Sequence, residues 1–136
     1  MQEGEEIEGN VSLWVGDAQS PDALDVYTDA DYSNAGRHLS QFANDFGTGW
    51  YDHDFMDAYV HANSTRSLVE LLKGCSYDNV ITPRFVELCG EWLPEAANAA
   101  VVLYNFRHGG GLGPSTGNTV RLRFMGSISV PMPWPE

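Results

Sequence analysis

The residues of this chain whose types and spacing could perform chemistry stand in one short run, Asp52-His53-Asp54, followed by Asp57. Carboxylate oxygens and an imidazole nitrogen are ligands for divalent cations, so these side chains could hold a metal ion. The chain has no His-Glu-X-X-His motif and no paired spacing of Cys and His, the patterns that mark a defined zinc site. A solvated acidic surface is therefore the plainer interpretation, and the metal site remains an alternative.

Other catalytic motifs do not stand out in the sequence. The Gly-rich run at residues 108–113 lacks the Gly-Lys-Ser/Thr ending of a phosphate-binding loop and lies between two predicted strands. Nineteen carboxylates offer many acid–base pairs, but no spacing singles out one pair, and no order of Ser, His and Asp matches a known nucleophile motif. We therefore expect no enzyme activity and no cofactor. An enzyme that uses the Asp52 to Asp57 cluster remains an open alternative.

The negative charge of the chain lies in its first 57 residues. That stretch contains thirteen Asp and Glu residues and a single base, Arg37, whereas residues 58–136 contain six acids and six bases. The whole formal net charge of −12 therefore belongs to the first two-fifths of the chain. Such a surface repels nucleic acids and anionic lipids, because binding to phosphates depends on Lys and Arg. We expect neither nucleic acid nor membrane as a partner, and instead a basic protein surface.

Acidic and large aromatic residues alternate between residues 42 and 59. Charge steers the encounter of two proteins and aromatic side chains supply contact area, so this segment suits an interface. Trp50 and Tyr51 carry a polar group on a large ring and fit a partly exposed position. Phe42, Phe46 and Phe55 fit the core equally well. The predicted partner-binding residues are Asp45, Trp50, Tyr51, Asp52, Asp54 and Asp57.

The elements that must position these residues begin with two short predicted helices. Ser20 can cap a helix whose first residue is Pro21, and this helix is predicted to stop near Thr28. A second, shorter helix is predicted over residues 41–45, with Gly47 as its stop.

The remainder of the chain predicts two more helices and a set of strands. Ser64 or Thr65 is predicted to cap a Leu-rich helix that ends at Gly74. The next helical pattern runs roughly over residues 79–92, and its regular helix is predicted to begin at Pro83 with Thr82 as the cap. Strands are predicted over residues 10–15, 56–62, 99–106 and 119–130. In the last strand, alternation predicts one shared face for Val120, Leu122, Phe124, Gly126, Ile128 and Val130.

These elements predict the fold class α+β, with a mainly antiparallel β-sheet packed by helices on one face and a single domain over residues 10–130. Residues 1–9 are predicted to form an acidic flexible tail, and residues 131–136 a Pro-rich C-terminal tail. No stretch approaches the roughly 18 apolar residues of a membrane span, and the N-terminus lacks the features of a secretory signal. We therefore expect a cytoplasmic location.

Several short motifs, taken in their order along the chain, resemble a known family. They are Val11-Ser12-Leu13-Trp14-Val15-Gly16, Ser40-Gln41-Phe42 with Asp45-Phe46-Gly47, Tyr51-Asp52-His53-Asp54-Phe55, the Leu-rich helix ending at Gly74, and Leu103-Tyr104-Asn105-Phe106. Their order and spacing resemble the immunity protein 22 family of bacterial polymorphic toxin systems, over roughly residues 11–130. The Gly-rich loop at residues 109–113 and the Pro-rich tail look particular to this chain.

The resemblance implies a small α+β cytoplasmic protein that is encoded beside a toxin. Such a protein binds the cognate toxin C-terminal domain and blocks it, which protects the producing cell and its kin. The resemblance supplies the toxin, whereas composition and charge alone predict an acidic, non-catalytic binder of a basic partner. Two alternatives remain open: a metal-binding protein or enzyme that uses the Asp52 to Asp57 cluster, and a DNA mimic that acts as an adaptor on a host protein.

Overall fold

The computed structural model describes residues 4–29, 40–48, 55–109 and 119–130. The strands in these ranges are β1 (Gly4–Ala18), β2 (Met56–Ser67), β3 (Trp92–His108) and β4 (Val120–Ser129). The helices in these ranges are α1 (Pro21–Thr28), α2 (Gln41–Phe46), α3 (Leu68–Leu72) and α4 (Asp78–Cys89). The strands form one antiparallel sheet in the order β2-β3-β1-β4, which confirms the α+β class.

Helices cover both faces of the sheet, so the prediction of helices on one face is wrong. Leu13 of β1 belongs to a buried cluster with Phe85 of α4 and the leucines of α3. Trp14, the next residue, belongs to a second buried cluster with Leu24 of α1 and Phe42 of α2. Successive residues of a strand point to opposite faces. Because both faces of the sheet carry large apolar side chains here, each face needs its own helical layer.

The first two helices begin and end as their sequences predict. The Ser20 side-chain oxygen accepts a hydrogen bond of 3.1 Å from the backbone N–H of Ala23, and Pro21 is the first helical residue. Ser40 caps α2 in the same way, through a hydrogen bond of 3.0 Å from the N–H of Ala43. Gly47 ends α2 in the left-handed conformation that a glycine adopts without steric cost.

The starts of the other two helices differ from prediction. The cap of α3 is Ser67, which accepts from the N–H of Glu70 at 3.2 Å, while Ser64 and Thr65 lie in β2. Helix α4 begins at Asp78 and contains Pro83 in its interior. A proline inside a helix forfeits one backbone hydrogen bond. The carbonyl four residues before Pro83 therefore lacks a donor within the helix. Water can satisfy it, because the helix is exposed at Pro83.

Strand β1 begins at Gly4, so the prediction of a flexible tail is wrong from that residue onward. Gly4 pairs with His108 and Glu6 with Phe106, and a bulge follows before Val11. Backbone pairing with β3 holds this polar segment, because the ladder uses N–H and C=O groups and needs no apolar side chains. The predicted Pro-rich tail at residues 131–136 lies outside the described residues.

Strand β4 changes face halfway along its length. Leu13 pairs with Gly126 and Trp14 with Phe124, so Met125 is an extra residue in β4. Before this bulge, Leu122 joins the cluster under α1 and α2, whereas after it Ile128 joins the cluster under α3 and α4. One inserted residue exchanges the two faces of a strand. The prediction of a single shared face is therefore wrong beyond Met125.

None of the described helices has the length and hydrophobicity that a bilayer crossing requires.

Candidate functional site

Two of the six predicted partner-binding residues, Asp45 and Asp57, lie in the described part of the structure. The predictions for Trp50, Tyr51, Asp52 and Asp54, together with the histidine of the metal alternative, fall outside the described residues. The described part of the candidate site therefore consists of the carboxylates of Asp45 and Asp57 and the elements around them.

Asp45 is half-buried and joins two helices. Its Oδ2 atom accepts a hydrogen bond of 2.7 Å from the hydroxyl of Tyr27 in α1. Its Oδ1 atom accepts a hydrogen bond of 2.8 Å from Nε2 of Gln41, one turn earlier in α2. Hydrogen bonds to a charged acceptor are stronger than neutral ones, so this carboxylate fixes α2 against α1.

Asp57 is half-buried on the opposite side of the sheet from α1 and α2, where it receives two donors. Its Oδ2 atom accepts from the backbone N–H of Ser76 at 2.8 Å and from the Tyr104 hydroxyl at 3.0 Å. The Tyr104 hydroxyl also contacts the carbonyl oxygen of Ser76. Burial, and then the negative charge of Asp57, raise the pKa of Tyr104 well above its usual range. These contacts tie β2 and β3 to the segment between α3 and α4.

Burial also raises the pKa of the thiol beside this carboxylate. Cys75 is buried, and its burial followed by the charges of Asp57 and Asp78 raises its pKa to about 12. A thiol with such a pKa stays protonated at neutral pH and is a poor nucleophile. Cys75 and Cys89 are both free thiols. Among the described residues, no group of three His, Cys, Asp or Glu side chains is placed to hold a metal ion.

Helix α1 is bordered by two surface grooves, and the placed acids lie beside both. The α1–β2 groove has a volume of about 510 Å³, and Asp25, Asp29 and Asp57 are among the residues that line it. The α1–α2 groove has a volume of about 630 Å³ and lies on the other side of the helix. Its lining includes Tyr27 and Gln41, the two residues that donate to Asp45. Asp45 thus contacts α1 through Tyr27, whereas the carboxylate of Asp57 lies on the other side of the sheet.

The outward face of α1 and its C-cap residue Asp29 form a stripe of three acids and one apolar residue, Asp22, Asp25, Val26 and Asp29, called the α1 stripe below. These positions are spaced i, i+3, i+4 and i+7, which places them on one side of a helix. All four side chains are exposed, and Val26 is 76% exposed. Leu24, Tyr27 and Thr28 are buried on the opposite side.

Sequence reasoning missed the α1 stripe as a candidate site. The sequence signal for this stripe was the spacing of its four residues along one side of a helix. Val26 is an apolar residue among aspartates, on the side of α1 opposite to Leu24 and Tyr27. A single exposed apolar side chain is common on protein surfaces, so Val26 becomes a candidate for contact with a partner only together with the acids and grooves around it.

The aromatic residues near these acids divide between core and surface. Phe42 and Phe46 are buried in α2, and the ring of Phe42 lies 4.8 Å from that of Trp14 in an edge-to-face arrangement. Phe55 is 46% exposed. The interpretation of Phe42 and Phe46 as core residues is confirmed, whereas for Phe55 it is wrong.

Comparison with known proteins identifies a family. A family model described as Immunity protein 22 matches residues 11–129, which span β1 to the end of β4 and include all of the described helices. No curated protein and no solved structure matches the chain significantly.

Proposed function

The chain belongs to the Immunity protein 22 family, and from this membership we propose that it binds a toxin domain and neutralises it without catalysing a reaction. The family match over residues 11–129 is the observation that carries this proposal. It agrees with the resemblance that the sequence motifs indicate.

We propose further that the partner is the cognate C-terminal toxin domain of a bacterial polymorphic toxin system, and that the complex forms in the cytoplasm. The formal net charge of −12 favours a toxin with a basic surface. A nuclease has such a surface where it binds phosphates. The carboxylates of the immunity protein would occupy that surface in place of the nucleic acid, which prevents substrate binding.

The interface in this proposal includes the acidic-aromatic residues named from sequence. Asp45 accepts hydrogen bonds from Tyr27 and Gln41, which line the α1–α2 groove, and the carboxylate of Asp57 lies on the other side of the sheet. Asp52 and Asp54 add charge, which speeds encounter, while Trp50 and Tyr51 add contact area. The hydrogen bonds of Asp45 and Asp57 within the fold hold their carboxylates in fixed positions, so little conformational entropy is lost when a partner docks.

The deciding experiment is rescue combined with binding. The C-terminal domain of the adjacent toxin gene product is expressed in cells with and without this protein, and the purified pair is titrated by calorimetry. We expect restored growth and a dissociation constant in the nanomolar range. Continued growth arrest together with no measurable complex would overturn the proposal.

A charge-reversal variant tests the sequence-derived part of the interface. Asp52→Lys with Asp54→Lys is expected to slow association about tenfold at low ionic strength and to flatten its salt dependence, since charge steers encounter. The matched control, Glu87→Lys with Glu91→Lys, makes the same change in net charge at two exposed positions in and after α4. Equal association rates for the two variants would remove Asp52 and Asp54 from the interface.

A truncation variant tests the proposed aromatic anchor. Trp50→Ala is expected to weaken binding by about 2 kcal/mol or more, mainly through faster dissociation, if this side chain is a hot spot. Surface plasmon resonance separates the two rates. An unchanged dissociation rate would show that Trp50 lies outside the contact.

A further inference from the structure

Helix α1 carries an exposed apolar side chain on a rigidly held support. Val26 projects from the outward face, where 76% of its surface is exposed. The opposite side of α1 is fixed by buried Leu24 and Tyr27, and the Thr28 hydroxyl donates to the carbonyl of Leu24 at 3.0 Å. A β-branched side chain on a helix has few rotamers and loses little entropy when a partner buries it, so Val26 is suited to be an anchor.

The start of α1 is also fixed to the sheet. The side chain of Asn98 accepts from the N–H of Ala18 and donates to its carbonyl, both at 2.9 Å, at the last residue of β1. The N–H of Gln19 donates to the carbonyl of Thr119 at 2.9 Å, and Ser20 caps the helix. The α1 stripe is therefore preorganised in the free protein.

Charge defines what can cover this face. Asp22, Asp25 and Asp29 surround Val26, and the sequence of α1 contains no Lys or Arg. A second copy of this chain that docked through the same face would place aspartates against aspartates, because a two-fold contact pairs each patch with itself. A partner with Lys or Arg around an apolar pocket has the complementary chemistry.

We propose, on the premise of the proposed function, that the α1 stripe is the docking element for the toxin domain, with Val26 seated in an apolar pocket of a basic toxin surface. Lys or Arg side chains of the toxin lie in the α1–β2 groove, where Asp25 and Asp29 neutralise them. The α1–α2 groove receives an apolar side chain of the toxin against Ala23, Val26 and Tyr27.

Two variants of the full chain separate the apolar and the charged parts of this contact. Val26→Ser is expected to raise the dissociation rate of the toxin domain about tenfold with little change in association. Asp22→Asn with Asp25→Asn and Asp29→Asn is expected to lower the association rate about tenfold at low ionic strength and to flatten its salt dependence.

Matched controls change the same chemistry on the other side of the protein. Val69→Ser alters an apolar residue of α3 that is 43% exposed. Glu87→Gln with Glu91→Gln and Glu95→Gln removes three exposed negative charges in and after α4. Both controls are expected to keep association and dissociation rates within about twofold of wild type, since neither lies near α1.

A measurement on the unaltered protein makes the proposal independent of variant folding. Hydrogen exchange of the wild-type complex is expected to show protection of the α1 and β2 amides, with the exposed part of α4 unchanged. The docking proposal is overturned if the α1 variants match their controls and the α1 amides gain no protection in the complex. The proposed function still stands in that case, provided that the wild type binds the toxin domain and rescues growth. If the wild type neither binds nor rescues, the proposed function fails and this proposal fails with it.

Discussion

The hydroxyl of Tyr27 in α1 donates a hydrogen bond of 2.7 Å to Oδ2 of Asp45 in α2, across the surface where the α1–α2 groove lies. A carboxylate that the sequence marks as a partner-binding residue therefore also holds two helices together. Under the proposed function, both stability and recognition would depend on this contact, because the position of the α1 stripe follows from how α1 is held.

Tyr27→Phe is expected to lower the free energy of unfolding by about 1.5 to 3 kcal/mol, the usual effect of losing a hydrogen bond to a charged group. Urea denaturation followed by circular dichroism measures the change. A double-mutant cycle with Asp45→Ala should give a coupling energy of at least about 0.5 kcal/mol. Additive effects of the two substitutions would contradict a direct interaction between these side chains.

Asn98→Ala is expected to destabilise the protein by about 1 to 3 kcal/mol, because it leaves both backbone groups of Ala18 without their side-chain partner. Asn98→Asp is the informative comparison. It keeps an acceptor for the N–H of Ala18 but places a carboxylate oxygen against the Ala18 carbonyl, so it should not restore stability. Thermal unfolding of the three proteins tests the order, and an Asp variant as stable as wild type would refute the paired hydrogen bonds.

Gly16→Ala is expected to be among the most damaging single substitutions in the sheet. A Cβ atom at Gly16 would lie 1.8 Å from the carbonyl oxygen of Arg121, a backbone atom of the neighbouring strand that cannot move aside alone. We expect a loss of about 3 kcal/mol or more from overpacking. Urea denaturation measures the loss, and wild-type stability would mean that β1 and β4 can separate here at no cost.

Alkaline pH is expected to destabilise the fold through Cys75 and Tyr104. Burial raises the pKa of Cys75 from 9.0 to about 12 and raises that of Tyr104 from 10.0, so the unfolded chain releases both protons at lower pH than the folded protein. Their contribution to stability is complete below about pH 9 and declines as pH rises toward 12. For each proton that the folded protein keeps after the unfolded chain has released it, the free energy of unfolding falls by about 1.4 kcal/mol per pH unit.

Cys75→Ala provides the comparison for this pH dependence. Between pH 9 and 10 the stability of the variant should fall less steeply than that of wild type, because the buried thiol no longer contributes. Urea denaturation under reducing conditions at each pH gives the two slopes. Parallel slopes would show that Cys75 titrates alike in the folded and unfolded states.

Sequence reasoning selected the candidate site by charge, which is a property of the sequence, whereas exposure is not, and the binding role of these residues stays a prediction. The acidic segment indicates a basic partner from composition alone. Asp45 and Asp57 were selected as partner-binding acids, and the structure gives both of them hydrogen bonds within the fold. Val26 was not selected, since its exposure depends on α1 packing its other side against the sheet.

The sequence by itself determined the features that depend on neighbouring residues. Ser20 and Pro21 begin α1 and Gly47 ends α2, and these signals hold because a cap satisfies backbone groups within one helical turn. The charge asymmetry and the order of the family motifs were equally readable, because both are properties of the linear chain.

The tertiary structure alone decided the features that depend on distant partners. Alternation in β4 could not reveal the bulge at Met125, because one extra residue exchanges the faces without changing the pattern in the sequence. The polar start of β1 became a strand through pairing with β3, and the helices divided between two faces because β1 and β3 carry apolar side chains on both. Position relative to the sheet is a non-local property, and it is what places the α1 stripe between the two grooves.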